Sequence, residues 1–126
     1  MIQSYAEEIN EKDNSFDIIF SRQCMHHANN LDMFVKNAFR MLKPNGLFLT
    51  IRDHVINSDS NKQKFLKSHP LHKFYGGENA YTLNEYESAF KNAGFTLEKT
   101  IKYFDSLINY FPEENVSLEN LIIKNN

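Results

Sequence analysis

Polar side chains able to bind a ligand follow two apolar segments of the sequence. Ser21 and Arg22 end the first segment, and Arg52 and His54 follow the second. In open α/β sheets, ligands bind at the carboxyl ends of parallel strands. The sequence therefore predicts a ligand site where two strands end. The alternative for the second pair is a solvated strand end in which Arg52 forms a local ion pair with Asp53.

Two adjacent histidines, His26 and His27, lie shortly after the first segment. A neutral imidazole can accept a proton near pH 7, so either residue is a candidate base near a reacting group. The alternative is that one packs in the core and the other caps the next helix. Because adjacent residues do not share a helix face, we predict no metal site here. The catalytic residues stay unassigned, with these two as candidates.

The two apolar segments have the pattern of buried strands. Residues 18–20 are an unbroken apolar run and residues 47–51 are nearly so, which is typical of strands covered on both faces of a parallel sheet. Between them, apolar residues recur at helical spacing from Leu31 to Leu42, with Asn29 or Asn30 as the cap and Pro44 as the stop. These parts predict a right-handed strand–helix–strand crossover.

The polar segment 57–80 follows this crossover. It allows a short helix over 61–67, and Pro70 and the glycine pair 76–77 are expected to break any longer one. A segment of this length in a compact domain is more often a lid or binding loop than a simple connection.

The last third of the chain predicts one helix and two strands. Thr82 and Glu85 form a capping box at the start of a helix that Gly94 ends. Residues 95–103 alternate in polarity, which predicts a strand near an edge of the sheet, and residues 121–123 predict a last antiparallel strand.

Composition restricts the class of protein. With 126 residues, 41% of them hydrophobic, the chain is expected to form one domain. Its net charge of −2 predicts no general attraction to nucleic acid or to an anionic membrane. Cys24 is the single cysteine, which fits a reducing compartment. No apolar run approaches the ~20 residues of a membrane span, and the first ten residues lack a signal core. We expect a cytoplasmic protein with no membrane partner.

Both predicted helices are expected on one face of the sheet, because successive right-handed crossovers in one direction place them there. The strands are nevertheless apolar on both faces. A second copy, a partner chain or a missing segment is therefore expected to cover the other face, or else the fold is poorly stable.

Several motifs resemble those of class I S-adenosylmethionine-dependent methyltransferases of the type 11 kind. The segment 14–19 resembles the family's fourth strand, and Met25-His26-His27 resembles its strand-end motif. The segment 39–49 resembles its helix-to-strand passage, and Ala93-Gly94-Phe95 resembles its late helix exit. The resemblance covers about residues 4–104. It implies an α/β, partial Rossmann-like fold of about four strands with helices mainly on one face.

The resemblance also implies a cofactor, S-adenosyl-L-methionine, and positions for it. Ser21 and Arg22 would contact its methionine portion, while the backbone of Ala6 would contact adenine and Glu7 would support that loop. Arg52 and His54 would hold the methyl acceptor. A small molecule is the expected acceptor in preference to RNA.

The sequence departs from the family at its cofactor motif. Family members bind the cofactor with a glycine-rich turn after the first strand, whereas the first glycine here is Gly46. Tyr5 also stands where an aspartate near the adenine is usual. We therefore expect a truncated domain over residues 1–126, the carboxyl-terminal half of the fold only, incomplete and weakly active or inactive alone. The alternative is a non-catalytic fragment that serves as an interaction module.

Overall fold

A computed structural model describes residues 3–75 and 77–101. The chain divides into two compact units, Met1–Thr96 and Leu97–Asn126. A single domain over the whole chain stays a prediction. The first unit contains two short 3-10 helices, Ala6–Glu8 and Met25–His27. Its longer elements are β1 (Phe16–Arg22), α1 (Leu31–Met41), β2 (Leu42–Ile51), β3 (Val55–Ile56), α2 (Asp59–Ser68), α3 (Pro70–Tyr75), β4 (Tyr81–Thr82) and α4 (Leu83–Ala93).

Strands β1 and β2 pair in parallel, as the crossover predicts. Ile18 lies opposite Leu47, and Phe20 lies opposite Leu49. The register is irregular between Phe16 and Ile18, where β2 carries extra residues. Helix α1 makes the connection, so the predicted strand–helix–strand order is confirmed.

Helix α1 begins as predicted but ends earlier. The Asn30 side chain accepts a hydrogen bond of 3.0 Å from the N–H of Met33, which makes Asn30 the N-cap. The helix was expected to continue to Pro44, but it ends at Met41. The physical reason is that Leu42 is already extended and pairs with β1, so the chain joins the sheet before the proline.

Asn45 and Gly46 form the turn before the apolar part of β2. Asn45, not Gly46, has the positive φ, at 63°. Gly46 is needed for close packing, because a Cβ there would lie 2.8 Å from the backbone oxygen of Lys43.

The polar segment 57–80 is more helical than predicted. Its first helix, α2, is capped by the Ser58 side chain, which accepts a hydrogen bond from Asn61 N–H. Pro70 does not simply break the segment but begins α3, because proline fits the first helical position. The parallel pair of β3 and β4, two residues each, was not predicted.

Helix α4 confirms the predicted capping box. The Thr82 hydroxyl accepts from Glu85 N–H at 3.2 Å, and the Glu85 carboxylate accepts from Thr82 N–H at 2.6 Å. Gly94 ends the helix with a φ of 107°. The predicted strand over 95–103 is wrong for residues 95–101, which contain no strand. Residues 102–103 and the strand expected at 121–123 lie outside the described residues.

The core lies on one face of the β1–β2 pair. Phe48 projects to this face, where it stacks on Phe34 of α1 and meets Phe90 of α4 edge-on, with centroids 6.4 and 5.2 Å apart. Phe95 joins them through edge-on contacts with Phe39 and Phe90 instead of extending the sheet. The prediction of helices on one face is therefore confirmed.

The opposite face of the β1–β2 pair is apolar and uncovered within the described ranges. Six side chains there are between 39% and 59% exposed: Phe16, Ile18, Phe20, Leu47, Leu49 and Ile51. We call these six residues the open face. Among the helices of residues 3–75 and 77–101, none is long and apolar enough to cross a membrane.

Candidate functional site

The candidate site lies where β1 and β2 end side by side. The last pair of the ladder is Arg22 with Ile51, and Gln23 N–H donates to the Ile51 carbonyl at 3.0 Å just beyond it. Ser21 is buried at this edge, and its hydroxyl has no well-formed hydrogen bond to any described residue. Arg22 is exposed. The carboxyl ends of β1 and β2 therefore lie side by side, as predicted, and the Ser21 side chain is buried there.

Asp53 connects the two strand ends. Its Oδ1 accepts hydrogen bonds from the backbone N–H groups of Cys24 at 3.0 Å and His26 at 3.3 Å. Its other oxygen accepts from the Thr50 hydroxyl. The predicted alternative, a local pair with Arg52, is wrong, because this carboxylate is turned toward the segment that follows β1.

His26 is oriented by the same carboxylate. Its Nδ1 lies 3.1 Å from Asp53 Oδ1, and the two side chains are only 12% and 8% exposed. An ionised carboxylate only accepts hydrogen bonds, so Nδ1 carries a proton. In the neutral imidazole, Nε2 is then the unprotonated nitrogen, and the tautomer of His26 follows from this contact.

His27 lies beside His26 and reaches a different partner. The two rings are tilted, with centroids 4.0 Å apart. His27 Nδ1 lies 3.2 Å from Glu78 Oε2, whose side chain is 8% exposed. The expectation that adjacent histidines face apart therefore fails in this short 3-10 helix. No motif in the sequence indicated Glu78, which lies in the loop between α3 and β4.

His54 follows β2 and packs against the polar segment 57–80. Its ring stacks on Phe65 of α2 at a centroid distance of 4.3 Å, and its carbonyl accepts from the Tyr86 hydroxyl at 3.0 Å. Desolvation lowers the pKa of His54 below its usual 6.5, and nearby His26 and His69 act in the same direction. Desolvation raises the pKa of Tyr86, with a further rise from the Asp53 charge. Arg52, beside His54, is exposed with a φ of 59°.

Ala6 and Glu7, in the first 3-10 helix, pack beside the N-terminus of α1. Glu7 Oε1 accepts from Asn29 N–H at 2.9 Å and from Asn30 N–H at 3.4 Å. The Ala6 carbonyl accepts from the Asn37 side chain at 3.1 Å. A cavity of about 230 Å³ opens beside Glu7 and is lined also by Tyr5, Glu8, Asn29, Asn30 and Met33.

Cys24 is exposed and its thiol is free. Partial desolvation raises the pKa of its thiol and the Asp53 charge raises it further, while the nearby Ser21 hydroxyl, too poorly aligned for a full hydrogen bond, opposes the rise. A thiol with a raised pKa is a poor nucleophile, so no covalent role follows.

Comparison with known proteins gives one family. A family model described as a methyltransferase domain matches residues 1–50. The rat mitochondrial ubiquinone biosynthesis O-methyltransferase is 40% identical over 48 residues, which are 37% of this chain and 14% of that protein. The sterol 24-C-methyltransferase of Aspergillus fumigatus is 34% identical over 89 residues, which are 68% of this chain and 23% of that protein. The matched part therefore spans less than a quarter of either relative.

Solved structures share the fold. The YcgJ protein of Bacillus subtilis is 27% identical with a TM-score of 0.64, and the match covers 98% of this chain and 54% of that one. A SAM-dependent methyltransferase of Thermotoga maritima is 21% identical with a TM-score of 0.58, and the match covers 76% of this chain and 45% of that one. The [4+2]-cyclase SpnF is 18% identical with a TM-score of 0.56, and the match covers 75% of this chain and 31% of that one. A shared fold therefore does not by itself fix the reaction.

The described residues fit part of a nucleoside cofactor site. A buried hydroxyl without a well-formed hydrogen bond, Ser21, lies at the carboxyl end of a parallel strand, where such ligands bind. The cavity beside Glu7 provides a concave surface near the start of α1. The alternative of an interaction module is not favoured by the relatives. The family model over residues 1–50, the methyltransferase relatives and the Rossmann-like fold together support a type 11-like class I methyltransferase domain, a family whose cofactor is S-adenosylmethionine.

Proposed function

We propose that this chain takes part in S-adenosylmethionine-dependent transfer of a methyl group to a small molecule. The observation that carries the proposal is the position of Ser21, a buried polar group where two parallel strands end. The fold and the family support the cofactor class. The chain spans about half of the YcgJ structure, so this activity is proposed for the site and not read from the relatives.

In this proposal the edge of the β1–β2 pair holds the cofactor and the residues after β2 hold the acceptor. Ser21 and Arg22 contact the amino-acid portion of the cofactor, and the segment of Ala6 and Glu7 borders its adenine. The bound cofactor supplies an electrophilic methyl group on a sulfonium centre. Arg52 and His54 hold the acceptor in line with that methyl group.

The transfer needs alignment more than proton removal. Holding two reactants in an attack geometry supplies much of the rate enhancement of such a reaction. With the cofactor bound, a lone pair of the acceptor would form the new bond to the methyl carbon as the carbon–sulfur bond breaks, and the electrons of that bond would neutralise the sulfonium. His26 and His27 stay candidate bases only for an acceptor that carries a proton.

Calorimetric titration of the whole chain with S-adenosylhomocysteine tests the proposal. We expect measurable binding that Ser21→Ala weakens about fivefold, the loss of roughly one hydrogen bond. The matched control is Ser60→Ala, which changes an exposed serine in α2 and leaves the affinity unchanged. Absence of heat at millimolar ligand would support the interaction module instead.

Three expectations about the partners of this chain stay predictions. They are a partner chain or second copy on the open face, no membrane partner, and a small-molecule acceptor in preference to RNA. We propose a cytoplasmic location on the basis of the single cysteine. Sedimentation of the purified chain over a range of concentrations tests the oligomer.

A further inference from the structure

Three side chains that can bind a metal ion meet beside the strand ends. His26 and His27 come from the short 3-10 helix after β1, and Glu78 comes from the loop before β4. Each offers one ligand atom, and the three atoms lie within 4.8 Å of one another. Residues far apart in sequence therefore converge on one point, which local charge clustering along a loop would not produce.

One edge of this triangle already has the length a bound ion requires. Zinc–nitrogen and zinc–oxygen bonds are about 2.0–2.1 Å long, so ligand atoms at tetrahedral angles lie about 3.3 Å apart. The distance from His27 Nδ1 to Glu78 Oε2 is 3.2 Å. The other ligand atoms of the triangle are at most 4.8 Å apart, so binding an ion requires them to move closer together.

His26 is prepared as a ligand by Asp53. Metal-binding histidines usually donate their other ring N–H to a carboxylate, which fixes the ring and raises its basicity. Asp53 Oδ1 provides this contact to Nδ1 at 3.1 Å and is itself held by two backbone N–H groups. The unprotonated Nε2 of His26 is then available to an ion.

We propose that His26, His27 and Glu78 bind one divalent transition-metal ion, with zinc as the ion that this set favours. Two imidazoles and one carboxylate suit zinc or ferrous iron, whereas magnesium and calcium prefer all-oxygen sites. Three protein ligands leave a position open for water or a ligand oxygen. The proposal does not rest on methyl transfer, because the ion binds without the cofactor.

Competition of the whole chain against a chromophoric zinc chelator tests the site. We expect one zinc ion per chain and at least a tenfold loss of affinity in Glu78→Gln and in His27→Gln. Asp53→Asn should lower the zinc affinity about 10–100-fold, because Asp53 acts on the ion only by orienting His26. The matched controls are Glu8→Gln, an exposed acid outside the triangle, and His72→Gln in α3, both with unchanged affinity.

Substitution with cobalt(II) provides a second readout. Tetrahedral nitrogen and oxygen ligands give visible d–d bands without a thiolate charge-transfer band, and Glu78→Gln should weaken those bands. A thiolate band that Cys24→Ser abolishes would assign the ion to the thiol and overturn the proposal. Equal zinc affinity in the wild type and in Glu78→Gln would overturn it as well. Far-UV circular dichroism confirms that each variant is folded.

Discussion

Oδ1 of Asp53 lies 3.1 Å from Nδ1 of His26, although the two residues follow different strands. The same oxygen accepts two backbone N–H groups of the segment after β1. One carboxylate therefore holds the ends of β1 and β2 together and sets the tautomer of a histidine at the candidate site.

The contact predicts a stability cost for the loss of the carboxylate. Asp53→Ala removes a charged acceptor from the N–H groups of Cys24 and His26, so we expect a loss of about 1–3 kcal/mol in the free energy of unfolding, measured in urea. Asp17→Ala is the matched control, because it removes an exposed pair with Lys43 and should cost under about 0.5 kcal/mol. Similar losses in both variants would contradict the role of Asp53.

The two faces of the β1–β2 pair predict unequal effects of phenylalanine substitutions. Phe48 contacts three aromatic rings, so Phe48→Ala should cost about 3 kcal/mol or more in urea denaturation. Phe20 is 59% exposed on the open face, so Phe20→Ala should cost less than about 1 kcal/mol. An equal cost would mean that the open face is covered in solution.

The environment of His54 predicts a dependence of stability on pH. Its pKa is lower in the folded chain than the ordinary 6.5, so the unfolded chain binds the proton more tightly. The stabilisation of the fold by neutral His54 is therefore fully present well above pH 6.5. It is lost as the pH falls from that value through the pKa of His54 in the folded chain. We expect the urea concentration at the unfolding midpoint to decrease when the pH is lowered from about 7.5 to about 5.5. His54→Gln should show a smaller fall, and identical slopes would reject the assignment.

Two glycines with positive φ predict different costs. In Gly94→Ala the new Cβ would lie 3.0 Å from the Phe39 ring at a φ of 107°, so we expect a loss of about 1–3 kcal/mol. Gly77 has a φ of 79° but open space around it, so Gly77→Ala should cost about 1 kcal/mol from the backbone alone. Thermal unfolding of both variants measures the difference, and the reverse order would contradict the packing at Gly94.

Local patterns in the sequence predicted the crossover and both principal caps correctly. The apolar runs at 18–20 and 47–51, the N-cap predicted at Asn29 or Asn30 and found at Asn30, and the capping box of Thr82 depend on residues a few positions apart. The alternation after Gly94 failed because Phe95 is apolar for a tertiary reason, its packing on Phe39 and Phe90. Periodicity alone does not distinguish those two causes.

The adjacent ends of β1 and β2 were also predictable from the sequence, but the side-chain contacts there were not. Asp53 was considered only as a neighbour of Arg52, because its true partner lies 27 residues away in sequence. Glu78 lies in a loop without a motif, and its approach to His27 depends on how α2 and α3 fold the polar segment. Such long-range pairs depend on tertiary structure and not on spacing.

The irregular step between the Phe16–Leu42 and Ile18–Leu47 pairs makes the crossover sensitive to its length. Side chains alternate along β2, so deleting one residue from 43–46 without a compensating shift would turn Phe48 outward and Leu47 inward. It would also move Asp53 away from His26. Natural variants of this chain should therefore keep the length of this segment even where its residues change.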